Sequence, residues 1–350
     1  MGLRDLVALR DLQRDVMPLT LDAPPLIGQP PFLLALSSWL SFDGPPVETL
    51  VVRHPREGAG FIQARLRPGR PEADLLFISP GRWAEEKSCL WEQSLASLGN
   101  WASRRGLLRL YCATPAGSPE EAAFRRAGYL RYASDTLYRL DGLPASLPLR
   151  PDARPRPQKE RDVWPLQRLY ASITPLRVQQ AEGLIHQGWR VPTDDWSGAA
   201  WTRSLVIEDR DGLVAHLGLR RGNAAHSFRL VCRPDVDGVQ RDLVQHALAV
   251  VSQWPRRPVF SSARHYQPGL GSQLEQLGFC PIAERALTVR HLVLSVRPAL
   301  EELVLRLQAA TAGSGQSLTE NGKAADGAAT LAIPSPSATE WEYDKIPDHR

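Results

Sequence analysis

The residues able to do chemistry in this 350-residue chain are few and scattered. Cys89, Cys112, Cys232 and Cys280 form no Cys-x-x-Cys pair and no Cys/His cluster at zinc-ligand spacing, so they read as buried free thiols. His216, His226 and His246 fall on two strand-like runs and one helix-like run. His216 and His226 could meet across a hairpin, but Arg220 and Arg221 at the intervening turn disfavour a cation, and no metal site is expected. No Gly-x-Ser-x-Gly elbow, phosphate loop or dinucleotide fingerprint is present. Trp189, Trp196 and Trp201 cluster between Gly188 and Trp201, a candidate recognition loop. Arg150, Arg154, Arg156, Lys159 and Arg161 form a basic run that proline stiffens into a solvated linker.

The elements that must hold such residues follow from periodicity and punctuation. Leu3 to Leu9 reads as a strand, with helices from Leu12 and over Pro31 to Leu40. Strands are expected at Glu48 to Arg53, Phe61 to Arg67 and Ala73 to Ser79. Leu90, Trp91, Leu95, Leu98 and Ala102 recur at helical spacing within Ala84 to Arg105. After a strand at Leu107 to Cys112, Ser118-Pro119-Glu120-Glu121 opens a helix that Gly128 ends, and two short strands fill Tyr129 to Leu140. Five prolines between Leu143 and Arg161 bar a helix or a central strand, so this stretch reads as a linker running into the first strand of a second domain.

The second half repeats this order. Helices are expected at Asp162 to Ile173 and Pro175 to Gln187, then strands at Ser204 to Ile207, Leu213 to Arg220 and Ala225 to Cys232. Val239, Leu243, Val244, Ala247, Leu248 and Val251 make one helix face, a strand follows at Val259 to Ser262, and Gly278 stops a helix from Gly269. Two more strands occupy Phe279 to Val296. Ala127-Gly128-Tyr129 matches Leu277-Gly278-Phe279, and Ala133 and Leu137 match Ala283 and Leu287. A repeat of half the chain means two tandem domains, not a solenoid.

Bulk composition narrows the function classes. Apolar residues are 43% and charged residues 23%, as in a globular chain. The most apolar stretch, Pro31 to Phe42, is too short to span a bilayer and carries Ser37, Ser38 and Ser41, and no signal peptide is evident, so a cytoplasmic protein without a membrane partner is expected. Residues 311–350 are rich in Gly, Ser, Ala and Pro and read as a disordered tail. The tail carries a net −3 of the chain's +4, which leaves +7 dispersed over the rest and argues against nucleic acid as a partner.

The order of elements, and the helix ending in Gly-Tyr or Gly-Phe before the last strands, resembles the GNAT N-acetyltransferase superfamily over roughly Met1 to Val296. The resemblance implies an α/β protein of two tandem GNAT-like domains, each a twisted mixed sheet flanked by helices. The domains would span 1–142 and 162–310, with the linker at 143–161 between them. It also implies a cofactor, acetyl-CoA or another acyl-CoA. In that family the fourth and fifth strands of a domain splay apart. The pantetheine arm lies in the gap against the fourth strand, and the pyrophosphate rests on the amides opening the next helix.

Carried onto this chain, the first half fits poorly. In Ser79-Pro80-Gly81-Arg82-Trp83-Ala84-Glu85-Glu86, no glycine opens the helix and two carboxylates would repel a polyanion. The second half is the better candidate, with Leu230, Val231 and Cys232 as the strand and Gly238, Val239 and Gln240 as the amide cradle. The tyrosine that often protonates the leaving thiolate in the family is replaced by Phe124 and Leu274, so Tyr266 is the substitute candidate for a catalytic residue. Two functions follow: acetyl-CoA-dependent transfer to an amine in the second half, or a non-catalytic GNAT-fold binding or regulatory protein that has lost the cofactor site.

Overall fold

The chain opens with a helix, not the expected strand. In a computed structural model, which describes residues 3–40, 47–142, 155–182, 200–210, 212–236 and 238–292, α1 covers Leu3–Leu12. Leu6 and Leu9 are buried at helical spacing while Val7 points to solvent, so the period is near 3.6 and not 2. There follow a two-residue strand β1 (Met17–Pro18), α2 (Pro31–Leu40), β2 (Val47–His54), β3 (Gly58–Leu66) and β4 (Glu72–Ser79). Then come α3 (Ser88–Arg104), β5 (Arg109–Pro115), α4 (Pro119–Arg126) and β6 (Leu130–Leu140). The second half contributes β7 (Arg156–Pro157), α5 (Val163–Ile173), α6 (Leu176–Glu182), β8 (Ala200–Asp209), β9 (Gly212–Gly222) and β10 (His226–Cys232). It ends with α7 (Val239–Val251), β11 (Val259–Arg264), α8 (Leu270–Gln276) and β12 (Cys280–His291). The Trp189 and Trp196 loop, the linker over 143–154 and the tail lie outside the described residues.

Local signals explain the helix ends. The Ser118 side chain accepts the Glu121 N–H at 3.2 Å, and Gly128 closes α4 at φ +88°, a region costly for other residues. Where two short strands were expected after each such glycine, a single strand runs instead, β6 or β12. The reason is that each pairs with the other along nearly its whole length and is flanked on its second edge through the middle, Asp135 to Arg139 in β6 and Arg285 to Val289 in β12, which keeps it extended.

The strands form one continuous mixed sheet in the order β2-β3-β4-β5-β12-β6-β11-β10-β9-β8-β7, with β1 on β4. Among the described residues, only β4/β5 and β10/β11 are parallel. The repeat expected from the sequence is visible as mirrored pairing about the centre. It is not two separate sheets, because the last strands are exchanged: β12 pairs with β5, and β6 pairs with β11. Each half thereby covers an edge that its own strands would leave open. Helices flank both faces: α3 and α4 pack on the first half's core, α7 and α8 on the second's, and α1, α2 and α5 on the opposite side.

At the seam the halves face each other position by position. Ala133 lies opposite Leu287, Leu137 opposite Ala283, and Asp135 opposite Arg285, its own counterpart in the repeat. The Arg285 guanidinium clasps the Asp135 carboxylate through Nε at 2.9 Å and Nη2 at 2.7 Å, with the two residues 7% and 2% exposed. Removing one member leaves the other buried and uncompensated. Asp135→Ala is therefore expected to cost about 3–5 kcal/mol in urea unfolding, whereas the apolar pair Asp135→Leu/Arg285→Met recovers most of that loss. A single-variant loss under about 1 kcal/mol would show that the seam does not depend on this pair.

Candidate functional site

Both parallel pairs diverge. β4 and β5 are in register over Glu72–Asp74 against Arg109–Tyr111 and then separate; β10 and β11 hold only from His226 to Phe228 against Val259 to Ser261. Each opens a wedge with backbone groups along its sides, and what fills the two wedges differs.

The first wedge is filled by the chain's own backbone. Met17 and Pro18 pair with Ile78 and Phe77, the Leu19 N–H donates to Leu76 O at 2.8 Å, and the Ala113 N–H donates to Leu19 O at 2.8 Å. The Ser79 hydroxyl donates to Leu12 O at 3.0 Å, and a Cβ on Gly81 would stand 2.6 Å from the Val16 backbone. The helix start beside it is also taken: Glu57 Oε2 accepts the Leu90 N–H at 2.8 Å. Desolvation opposes ionisation of Glu57, but that hydrogen bond holds its carboxyl below the usual range. His54, Glu57 and the exposed Cys89 have ligand atoms within 4.8 Å of one another, a grouping the sequence did not suggest. Glu57 caps α3, and His54 Nδ1 accepts the Glu57 N–H, so the group serves the helix start. Like Cys89, Cys280 is exposed, which corrects the expectation that all four thiols are buried; neither position faces a core.

The second wedge is bridged by one side chain. Gln267 donates from Nε2 to Leu230 O at 2.8 Å and accepts the Arg264 N–H at 3.0 Å, while the Ser261 hydroxyl donates to Phe228 O at 3.1 Å. A cavity of about 410 Å³ opens on one side, bounded by Leu230, Val231, Tyr170, Glu182, His216 and Tyr266 among others. A smaller one of about 140 Å³ lies toward the start of α7, against Cys232, Gly238, Gln240, Tyr266 and Gln267. The structure thus brings Cys232, Gly238, Gln240 and Tyr266 together, and puts Leu230 and Val231 on the neighbouring cavity. Val239 instead sends its side chain into the core under α7. Gly238 precedes α7 at φ +77°, with no side-chain cap and nothing within 4 Å of where a Cβ would be. Phe124 and Leu274, the replaced tyrosine positions, are fully buried core residues.

The larger cavity holds a polar network. The Tyr170 hydroxyl donates to Glu182 Oε2 at 2.6 Å, and Arg264 Nη2 donates to Glu182 Oε1 at 3.0 Å. Burial, then Glu182, keeps the Tyr170 phenol well above its ordinary range. Burial likewise raises Tyr266, so both phenols hold their protons at neutral pH. Cys232 is pushed up to about 11 by burial and stays a thiol. Ser204 gives its hydroxyl proton to Gln158 Oε1, so its oxygen accepts from His216 Nε2 at 2.7 Å, which assigns the Nε2–H tautomer. His216 lies opposite Val231 and His226 opposite Arg221, so the two histidines do not meet; His226 bonds Pro255 O.

Gln267, Tyr170, Glu182, Ser204 and Gln158 were not singled out by sequence. Tyr170 and Glu182 sit on separate short helices, and no spacing rule joins them. Gln267 follows Tyr266 directly, but a lone glutamine after a strand carries no signal of its own.

No family profile and no curated protein matches this chain. Solved structures similar to it include a functionally unknown conserved protein from Staphylococcus epidermidis. It is 10% identical, covers 73% of this chain and 98% of its own, and has a TM-score of 0.49. A tandem GNAT protein from the clavulanic acid biosynthesis pathway is 16% identical, covering 79% and 98%, at 0.43. A GCN5-related N-acetyltransferase from Sphaerobacter thermophilus is 15% identical, covering 80% and 97%, at 0.46. Likenesses this distant carry no argument by themselves.

One titration is accessible at the site. Burial, and then the Arg229 charge, push His216 from 6.5 down to about 4. A depressed histidine favours folding while neutral, so its contribution is complete above about pH 6.5 and is lost as pH falls toward 4. Stability is expected to decline over that window. His226 and His246 shift the same way, so His216→Gln should remove only part of the slope. In NMR, the His216 ring should remain neutral at pH 5.

Proposed function

We propose that this chain is an N-acyltransferase of the GNAT fold, in the cytoplasm, with acyl-CoA taken only by its second half. The observation that carries the reading is the unequal filling of the two wedges. Backbone fills the β4/β5 wedge, whereas one flexible side chain spans the β10/β11 wedge, which opens onto two cavities.

The residues fit an acyl-CoA in a specific way. Leu230 and Cys232 would offer the backbone of β10 once Gln267 swings aside, and the amides of Gly238, Val239 and Gln240 would meet phosphate at the start of α7, with no Cβ at Gly238 in the way. When bound, the cofactor supplies an activated thioester carbonyl. Tyr266 borders both cavities with its phenol protonated and is the donor for a leaving thiolate. Glu182, fixed by Tyr170 and Arg264, holds an acceptor amine by charge in the larger cavity, and His216 offers it a neutral ring. The second reading, a non-catalytic binding protein, has an observation of its own: Gln267 already satisfies both sides of the wedge.

The two readings separate on Gln267. Titration with acetyl-CoA is expected to raise the melting temperature, by about 2.7 kcal/mol of stabilisation at 100 times the dissociation constant. Gln267→Ala should tighten binding about 3- to 10-fold by removing a competing pair of hydrogen bonds, and Gly238→Asp should abolish it. No shift at millimolar acetyl-CoA, in wild type and in Gln267→Ala alike, would leave the binding-protein reading. Tyr266→Phe should lower kcat with little change in acetyl-CoA affinity.

A further inference from the structure

Next to the larger cavity lies a second one of about 250 Å³, between the two halves on the same side of the sheet. The two share Asp22, Glu182, Arg229 and Arg264 as walls. Five arginines border it, and most are accounted for. Arg67 makes a fork onto Asp74 and reaches Glu72 at 3.0 Å, and Arg70 also bonds Glu72. Arg229 lies 4.0 Å from Asp22, which Arg220 also holds at 3.1 Å. Arg264 uses Nη2 on Glu182.

Three donors are left over. The Arg65 side chain, on β3, makes no hydrogen bond or salt bridge with any described residue, and its charge acts on Asp22 from a distance. Arg264 Nη1 and the Tyr132 hydroxyl are buried beside each other, and neither has a partner at hydrogen-bonding geometry among the described residues. They come from β3, β11 and β6, so strands of both halves point them at one space. Buried donors of this kind are rare in folded proteins unless something accepts from them. Two guanidinium forks and a phenol, with a positive charge in excess, match one chemistry: an oxyanion, carboxylate or phosphate, held by charge-assisted hydrogen bonds.

We propose that this cavity is an oxyanion subsite which takes the acidic group of the acceptor, so that the acceptor is a small amine bearing a carboxylate or a phosphate. The substrate-class part rests on the transferase reading above; the anion site does not. The shared walls set the order of groups. The acidic end lies against Arg65, Arg264 and Tyr132, and the amine reaches Glu182 and the mouth of the β10/β11 wedge. Diamines and polyamines lack the group the subsite requires.

The test starts without any acyl-CoA. The full chain is titrated with glutarate and with inorganic phosphate, followed by calorimetry and melting temperature, against sodium chloride at matched ionic strength. One of the two anions should saturate and stabilise beyond chloride, and which one does so names the acidic group. Arg65→Ala, which removes no side-chain hydrogen bond or salt bridge and only a long-range pull on Asp22, should fold normally and bind about tenfold more weakly. Tyr132→Phe should be as stable as wild type in buffer alone yet lose several-fold in anion affinity, a split that a purely structural tyrosine would not produce. Anion effects no larger than chloride, or binding unchanged in Arg65→Ala, would overturn the subsite.

A second arm compares acyl transfer to an amino acid with transfer to its decarboxylated amine. The wild type should prefer the amino acid or its phosphorylated analogue, and Arg65→Ala should erase the preference. An equal rate for both amines in wild type would overturn the substrate class. Anion binding without transfer to any amine would keep the subsite and overturn only the transferase reading.

Discussion

The clasp between Asp135 and Arg285 sits where the two copies of the repeat meet, and the rest of the sheet is arranged around it. The two residues occupy equivalent positions and face each other directly. In a symmetric dimer that position would set a side chain against its own kind. A covalently joined pair is free of this constraint, and here one copy carries the acid and the other the base. Arg264 lies opposite Asp135 on the other neighbouring strand, so a charged row crosses three strands from the seam to Glu182. The pair that joins the halves is thereby continuous with the polar network of the cavity.

The segment after α1 explains why the two wedges have different fates. The stretch after α1 lies along the first wedge, and a few residues later the same stretch walls the second half's cavity with Leu21, Asp22 and Leu26. Arg285 fastens this path by donating to Asp22 O at 3.3 Å. One segment therefore closes one wedge and shapes the surroundings of the other. The copies have thereby diverged in what lies along their wedges, backbone in the first and the Gln267 side chain in the second.

Much of this order was legible in the sequence because it is local. The α3 face of Leu90, Trp91, Leu95 and Leu98, the Ser118 cap and the paired Gly128 and Gly278 depend on near neighbours, and each is where periodicity and turn chemistry put it. The matches Ala133 with Ala283 and Leu137 with Leu287 were visible too, but as a repeat. That the two strands pair crosswise, Ala133 against Leu287 and Leu137 against Ala283, depends on pairing between distant segments, which no local pattern encodes. The same limit hid the closure of the first wedge. Val16 to Leu19 is an unremarkable apolar run, and only the tertiary path makes it a strand substitute. Of the candidate site, the β10 end, Gly238 and Tyr266 were singled out through family resemblance, and the structure gathers Cys232, Gly238 and Tyr266 around one cavity. Gln267 and the Tyr170–Glu182–Arg264 set arise from segments far apart in the chain.

Occupying a wedge with one's own backbone has a thermodynamic corollary. The residues at Met17 to Leu19 are tethered to the strands they satisfy, so they compete as an intramolecular ligand whose effective concentration is on the order of millimolar or more. A free ligand would have to displace this tethered segment before it could enter the wedge. The first copy's wedge is thus saturated by the chain itself, an intramolecular contact that no dilution of the protein removes.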